Sequence, residues 1–294
     1  MNARMFLALA VVALPAHAEP VDQRAAADPR GEVEVSNNSG SVSVTGWDRN
    51  EVEVTGELSG PADRLEFEAD GKHTLIKVLH PKGGHHGEGM HADLEIRIPR
   101  ESRLEVTTVS ADITVADVIG ALSLGSVSGT VEAPAADERV EVRTVSGDAR
   151  VTGDGSDGGV IVQTVSGNAI ATGVSGVISA ASVSGSVEVA ARQAARLTAE
   201  SVSGNVDLMF GLTEDSEVDV ETVSGQVTLA VEDGGNAEYV IETFSGDIDN
   251  CFGPEPERTS QFTPGSELRF STGDGSAEVR VNTLSGGVEL CDER

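Results

Sequence analysis

A four-residue block, Thr/Ser-Val-Ser-Gly, returns six times between residues 126 and 225, and degenerate copies at Thr108–Ala111, Thr243–Gly246 and Thr283–Gly286 flank it. Between the central apolar residues Val109, Val127, Val145, Val165, Val183, Val202, Val223, Phe244 and Leu284 the steps are 18, 18, 20, 18, 19, 21, 21 and 40 residues. A unit of that length cannot bury an apolar face alone, so successive units must stack. Within one unit Val140 and Val142 alternate with Glu141 and Arg143, and Ala149 and Val151 alternate with Asp148 and Arg150. That period of two belongs to β-strands with one buried face. The expected fold is all-β, a β-solenoid (β-helix-like) of 18–21-residue coils. Equivalent residues should lie about 4.8 Å apart, the strand spacing. Stacking then puts motif Val over motif Val in an interior column, and Ser over Ser in a hydroxyl ladder along one edge. The ladder comprises Ser128-Gly129, Ser146-Gly147, Ser166-Gly167, Ser184-Gly185, Ser203-Gly204, Ser224-Gly225, Ser245-Gly246 and Ser285-Gly286. Its role is structural: each Gly marks a corner that needs φ > 0 or a close backbone approach. Ala190–Leu197 alone has helix-like composition, and reads as a longer coil corner.

The rest of the chain divides around this repeat. Residues 1–18 read as a secretory signal peptide, with Arg4, the apolar run Phe6–Leu14 and the Ala16-His17-Ala18 cleavage pattern. That run is far short of the roughly 20 residues a membrane span needs, so no transmembrane segment is expected once it is cleaved. Residues 19–30 read as a disordered leader, and 31–107 as an N-terminal β-cap region of longer antiparallel strands. Strands are expected at Val33/Val35, Val42/Val44, Val52/Val54, Leu65/Phe67, Leu75–Leu79 and Leu94–Ile98, with Asn37-Asn38-Ser39-Gly40 as an early form of the corner. Residues 108–294 form the solenoid, with an excursion at 252–275. With seven Phe, one Trp and one Tyr, the core must be built from aliphatic side chains. A net charge of −29 argues against nucleic acid and anionic lipid as partners.

The two cysteines, Cys251 and Cys291, share one phase of the repeat, each lying five residues beyond its corner Gly. In an exported chain such a pair should form a disulfide. Two full coils would hold the Cα atoms about 9.6 Å apart, beyond the roughly 7 Å limit for a bridge. Adjacent coils are therefore expected, with the intervening residues leaving the stack. The outgoing loop is Phe252–Pro264; Glu267–Ser271 and Ser276–Asn282 then form a hairpin around Thr272–Gly275.

The repeated Val-Ser-Gly-x-Val blocks, the Cys251-Phe-Gly-Pro254 element and the ending Leu284-Ser-Gly-Gly-Val-Glu-Leu-Cys291 resemble the bacterial putative-adhesin family of β-strand-repeat domains of unknown function. The resemblance covers roughly residues 31–292. It implies an exported β-helix-like fold with a surface or envelope role, and it carries over no catalytic residue.

The side chains that could carry chemistry are dispersed in the sequence. A nucleophilic Ser needs a base within reach, but all six His lie at or before His91 and the Lys residues are at 72, 77 and 82. No catalytic residue is therefore assigned. A glycan-active β-helix enzyme, lyase or hydrolase, is the alternative, since a carboxylate pair could hide among outward acids such as Asp148, Asp207, Asp219 and Asp247. The cluster around His80, Met90 and the metal candidates His85, His86 and His91 lies in a Gly-rich stretch that reads as a hairpin tip. Gly153–Gly159 contains a single Gly-Asp turn, whereas a calcium roll repeats its motif every nine residues. No cofactor or metal is expected. The reading is an exported, periplasmic or surface, non-catalytic adhesin or envelope interaction module of a bacterium. Its partner would be an envelope or surface protein or glycan, with an envelope sensor as a further alternative.

Overall fold

In the computed structural model the described residues are 19–59, 64–79, 91–232, 236–259 and 264–292. All the strands among them belong to one continuous hydrogen-bonded sheet, folded at the corners into two layers, and no α-helix occurs there. In chain order the first are β1 (Glu19–Ala26), β2 (Glu32–Trp47), β3 (Glu51–Leu58), β4 (Arg64–Ala69), β5 (His73–Leu79), β6 (Ala92–Pro99) and β7 (Arg103–Ala116). The middle holds β8 (Leu122–Ser128), β9 (Val131–Pro134), β10 (Val140–Ser146), β11 (Ala149–Thr152), β12 (Val160–Ser166), β13 (Ala169–Ser184), β14 (Val187–Ser203), β15 (Val206–Ser224) and β16 (Val227–Val231). The last are β17 (Ala237–Ser245), β18 (Ile248–Asn250), β19 (Glu257–Arg258), β20 (Ser266–Ser271), β21 (Ala277–Ser285) and β22 (Val288–Asp292).

Strands running into a Ser-Gly corner form the front layer, and strands leaving it form the back layer. In the front layer β10 lies parallel to β8 on one side and β12 on the other, in register from Val140 to Ser146. In the back layer β11 pairs in the same way with β9 and β13. Alternation sends Val140, Val142, Ala149 and Val151 into the space between the layers, where all are buried. The core is accordingly a thin column of Val, Ile, Leu and Ala, the side chains that suit a pleated, two-layer interior. Ala190–Leu197 lies wholly inside β14, with register shifts between Ala191 and Arg196 that carry the strand round the far corner.

Several expectations fail at the ends of the stack. Residues 19–26, expected in a disordered leader, form β1, paired antiparallel with β3 from Glu19 to Ala26. No boundary separates 31–107 from the solenoid: β2 is itself a coil, parallel to β7 over both layers, with Asn37 opposite Thr108 and Gly40 opposite Ala111. The other side of β2 is taken by β5 and β6, also parallel. At this end antiparallel pairing is confined to the outermost strands, β4 on β5, β3 on β6 and β1 on β3. Chain order and spatial order therefore differ, since the β5–β6 coil sits outside the β2 coil that precedes it.

The C-terminal end repeats this interleaving. β21 lies between β15 and β17, parallel to both, with Thr283 opposite Thr222 on one side and Thr243 on the other. β22 likewise lies between β16 and β18. The final coil of the chain is thus the penultimate rung, and the outermost rung is β17–β18, covered by antiparallel β20. The expected hairpin between 267–271 and 276–282 does not form, because β17 lies between those two strands. Residues 272–276 instead step across the start of β17. Asn236 pins them: its Oδ1 accepts from Asp274 N at 2.6 Å and Gly275 N at 3.2 Å, and its Nδ2 donates to the Asp274 carboxylate. Among the described residues no helix is long and apolar enough to cross a membrane.

Candidate functional site

The corner motif builds the most repetitive surface of the molecule. Thr144, Thr164, Ser182 and their equivalents point inward and are buried. At several rungs the hydroxyl donates to the Gly carbonyl of the neighbouring rung: Thr164 to Gly147 at 3.2 Å, Ser182 to Gly167 at 3.0 Å and Thr243 to Gly286 at 3.2 Å. The buried hydroxyls of Ser201, Thr222 and Thr283, by contrast, make no hydrogen bond within the described protein. A Cβ built on Gly185 would overlap the Gly167 carbonyl oxygen, and one on Gly204 would overlap that of Gly185. Both glycines also have positive φ, +156° and +157°. Any other side chain would push the rungs apart there. One residue further on, carboxylate or amide oxygens cap the next rung: Asp148 Oδ1 accepts from Asn168 N at 2.9 Å, and Asn168 Oδ1 from Ser186 N at 3.1 Å. Asp148, read as a solvated acid, has this structural task.

The motif Val does not form an interior column. Val109, Val127, Val145, Val165, Val183, Val202 and Val223 are each 45–49% exposed, Leu284 53% and Phe244 60%. Parity explains the outward turn: Val140 and Val142 face inward, so Thr144 must follow them and Val145 must face out. That count was available in the sequence, where hydrophobicity alone suggested the opposite. Stacked in register, these side chains form an apolar ridge about 38 Å long at the strand spacing. An exposed apolar row of this continuity is a candidate interaction surface.

Two shallow grooves flank the ridge on the front layer. One, of about 520 Å³, runs past Val127, Val145 and Val165 with Arg143 and Gln163 alongside. The other, of about 690 Å³, runs past Val183, Val202, Val223, Leu284 and Phe244. Glu200, Glu221 and Glu242 line the second groove, and among the described residues no Lys or Arg does.

The remaining candidates are dispersed. The ladder serines 128, 146, 166, 184, 203, 224, 285 and 245 are exposed along the corner and lie opposite one another from rung to rung. His80, His85, His86 and Met90 lie outside the described residues. His91 lies within them, its Nε2 3.1 Å from the Asp93 carboxylate. Among the described residues no three His, Cys, Asp or Glu are grouped to hold a metal ion. Asp70 and Asp154 are both held below the usual carboxylate range. Backbone hydrogen bonds from His73 and Lys72 lower Asp70, and the Ser156 hydroxyl lowers Asp154. Cys251 and Cys291 form a disulfide between adjacent rungs, with Cα atoms 4.9 Å apart.

The model of the Toastrack DUF4097 family matches residues 30–290. No curated protein matches the chain. Among solved structures, a "putative adhesin" from Bacteroides fragilis is 9% identical, with a TM-score of 0.47 over 92% of this chain and 97% of that one. A "putative cell adhesion protein" from Clostridium sporogenes is 10% identical, with a TM-score of 0.25 over 94% and 100%. A "putative lipid binding protein" from Parabacteroides distasonis is 12% identical, with a TM-score of 0.34 over 94% and 97%. At those values the likenesses carry no argument about what this chain binds.

Proposed function

The chain belongs to the Toastrack DUF4097 family, and from that premise we propose that it is an exported, non-catalytic, adhesin-like interaction module of the bacterial envelope. The observation that carries this reading is the half-exposed ridge from Val109 to Phe244, apolar side chains held at a fixed spacing on a rigid corner. Water contact at such a row costs free energy that a partner would recover. The Cys251–Cys291 bridge supports an oxidising compartment, where disulfides persist. It accords with reading residues 1–18 as a signal peptide, a segment outside the described residues. In this reading the antiparallel strands β4, β3, β1 and β20 are caps that keep the open rungs from pairing with other chains. No observation favours the glycan-enzyme alternative.

A photocrosslinking residue at Val202, in living cells, tests the proposal against the same residue at Asp207 on the back layer. Adducts from the ridge alone are expected. Equal labelling from both positions, or none from the ridge, would refute an interaction face there.

A further inference from the structure

We infer that the groove between Val183 and Phe244 receives a basic amphipathic α-helix of a partner protein; this rests on the interaction-module reading and names its partner class. Three observations converge on that occupant.

The first is uncompensated charge. Some outward acids on the strands meet arginines, Arg150 with Glu132 at 2.8 Å and Arg196 with Glu217 at 2.7 Å. Glu188 and Asp207 on the back layer face one another without such a partner among the described residues, and no apolar ridge runs beside them. Glu200 and Glu221 likewise lie directly opposite one another on neighbouring rungs. Glu242 follows after the intervening Asn282. None of the three has an ion-pair partner among the described residues. Like charges opposite one another on adjacent strands repel. Cationic side chains laid along the row would relieve that repulsion.

The second is the apolar row beside them. Val183, Val202, Val223, Leu284 and Phe244 alone would suit many occupants, including a second copy of this chain. A second copy would bring its own acids against these, in a chain of net charge −29. Anionic lipid is disfavoured for the same reason.

The third is spacing. The ridge repeats about every 4.8 Å, and a helix presents a side-chain layer about every 5.4 Å. Over the four steps from Val183 to Phe244 the mismatch accumulates to only about 2.4 Å. An extended chain presents same-face side chains about every 6.7 Å and would slip by more than a full rung. The groove, about 19 Å long, matches a helix of roughly 13 residues. Apolar positions would face the ridge, and Lys or Arg along one flank would face Glu200, Glu221 and Glu242.

The test is titration of the full-length exported protein with a Leu/Lys amphipathic peptide of about 14 residues. A Leu/Glu version and a scrambled Leu/Lys version serve as controls. Saturable binding of the amphipathic basic peptide alone is expected. It should weaken about tenfold in the Glu200→Gln/Glu221→Gln/Glu242→Gln protein, the loss of three rim ion pairs. Val202→Ser/Val223→Ser should weaken it similarly, while Glu188→Gln/Asp207→Asn on the back layer should not. All these side chains are solvated, and an unchanged melting temperature verifies each fold. Equal binding by the triple Gln variant would reduce the effect to general attraction to a polyanion and overturn the inference. So would equal binding of the scrambled peptide, no binding at all, or a dimer in sedimentation that Val202→Ser abolishes. If crosslinking from Val202 in cells persists while the peptide fails, the occupant assigned here is wrong and the interaction module stands. If crosslinking fails too, both fall.

Discussion

The middle of the stack and its two ends are made from the same rungs by different means. From β8 to β16 each coil lies on the one before it, and the same kinds of contact recur along it: aliphatic side chain on aliphatic side chain, Thr or Ser hydroxyl on Gly carbonyl at Thr164 and Ser182, and Asp or Asn oxygen on the next rung's amide at Asp148 and Asn168. At the N-terminal end the chain lays the β5–β6 coil outside the β2 coil that precedes it and then resumes the stack with β7 on the inner side of β2. At the C-terminal end it lays down an outer rung and returns to place β21 between β15 and β17. An inserted rung has no local contact to guide it, so devices absent from the middle appear. Tyr239, Phe252 and Phe270 cluster on the outer C-terminal rung, with Tyr239 and Phe270 stacked at 4.8 Å. Asn236 secures the crossing loop, and the disulfide ties the inserted rung to the outer one. Repetition supplies the middle with its stability, and single unrepeated contacts supply the ends with theirs.

The sharpest way to break this contrast is to remove the bridge. Replacing Cys251 and Cys291 with Ser opens a loop of 40 residues, an expected loss of about 4 kcal/mol in the chain-entropy account. Hydrogen exchange should accelerate across 237–250 and 277–292 while 140–204 stays protected; uniform acceleration would mean the ends are not a separate cooperative unit.

In the middle, Gly185→Val forces a side chain into the Gly167 carbonyl. We expect a loss of about 3 kcal/mol, against less than about 1 kcal/mol for Ser184→Ala at the exposed neighbour. Matching melting temperatures for the two variants would contradict the corner packing.

Asn236→Ala should cost about 1 kcal/mol and loosen only the crossing at 272–276. An effect on exchange at Thr144 or Thr164 would show that the crossing is not local.

The smallest effect belongs to Asp70, whose Oδ1 accepts from Lys72 N at 2.9 Å and His73 N at 2.8 Å in the turn before β5. Its carboxyl is held below the usual range by those bonds, so its contribution is present above the ordinary carboxylate pKa and fades as pH falls through the folded value. Asp70→Ala should lower the urea midpoint slightly at pH 7, and the difference should vanish in strong acid. A difference that persists there would assign the role to something other than the carboxylate.

How much of this was legible depended on what repeats. The Val-x-Val alternation revealed the strands, and the steps of 18–21 residues revealed the rung. Shared phase brought Cys251 and Cys291 onto neighbouring rungs. The outward face of Val145 was legible too, in the parity of Val140 and Val142, but an aliphatic side chain beside a buried Thr inverts the usual hydrophobic reading. The groove was not legible, because Glu200, Glu221 and Glu242 are one row only after the rungs are ordered in space. Residues 19–26 looked structureless because β1 takes its order from β3, not from any pattern of its own.

By itself, then, the sequence determined the rung: its length, the inward alternation of its strands, the glycine at most of its corners, and the cysteine partner. Tertiary structure decided the order of the rungs at both ends. The reason is that parallel backbone pairing is indifferent to which rung it joins. Thr283 fits Thr222 and Thr243 alike, so the alternating pattern specifies that coils stack but not which coil lies on which. Only loop length, the crossing held by Asn236 and the single disulfide distinguish one arrangement from the others, and they act between residues brought together by the fold.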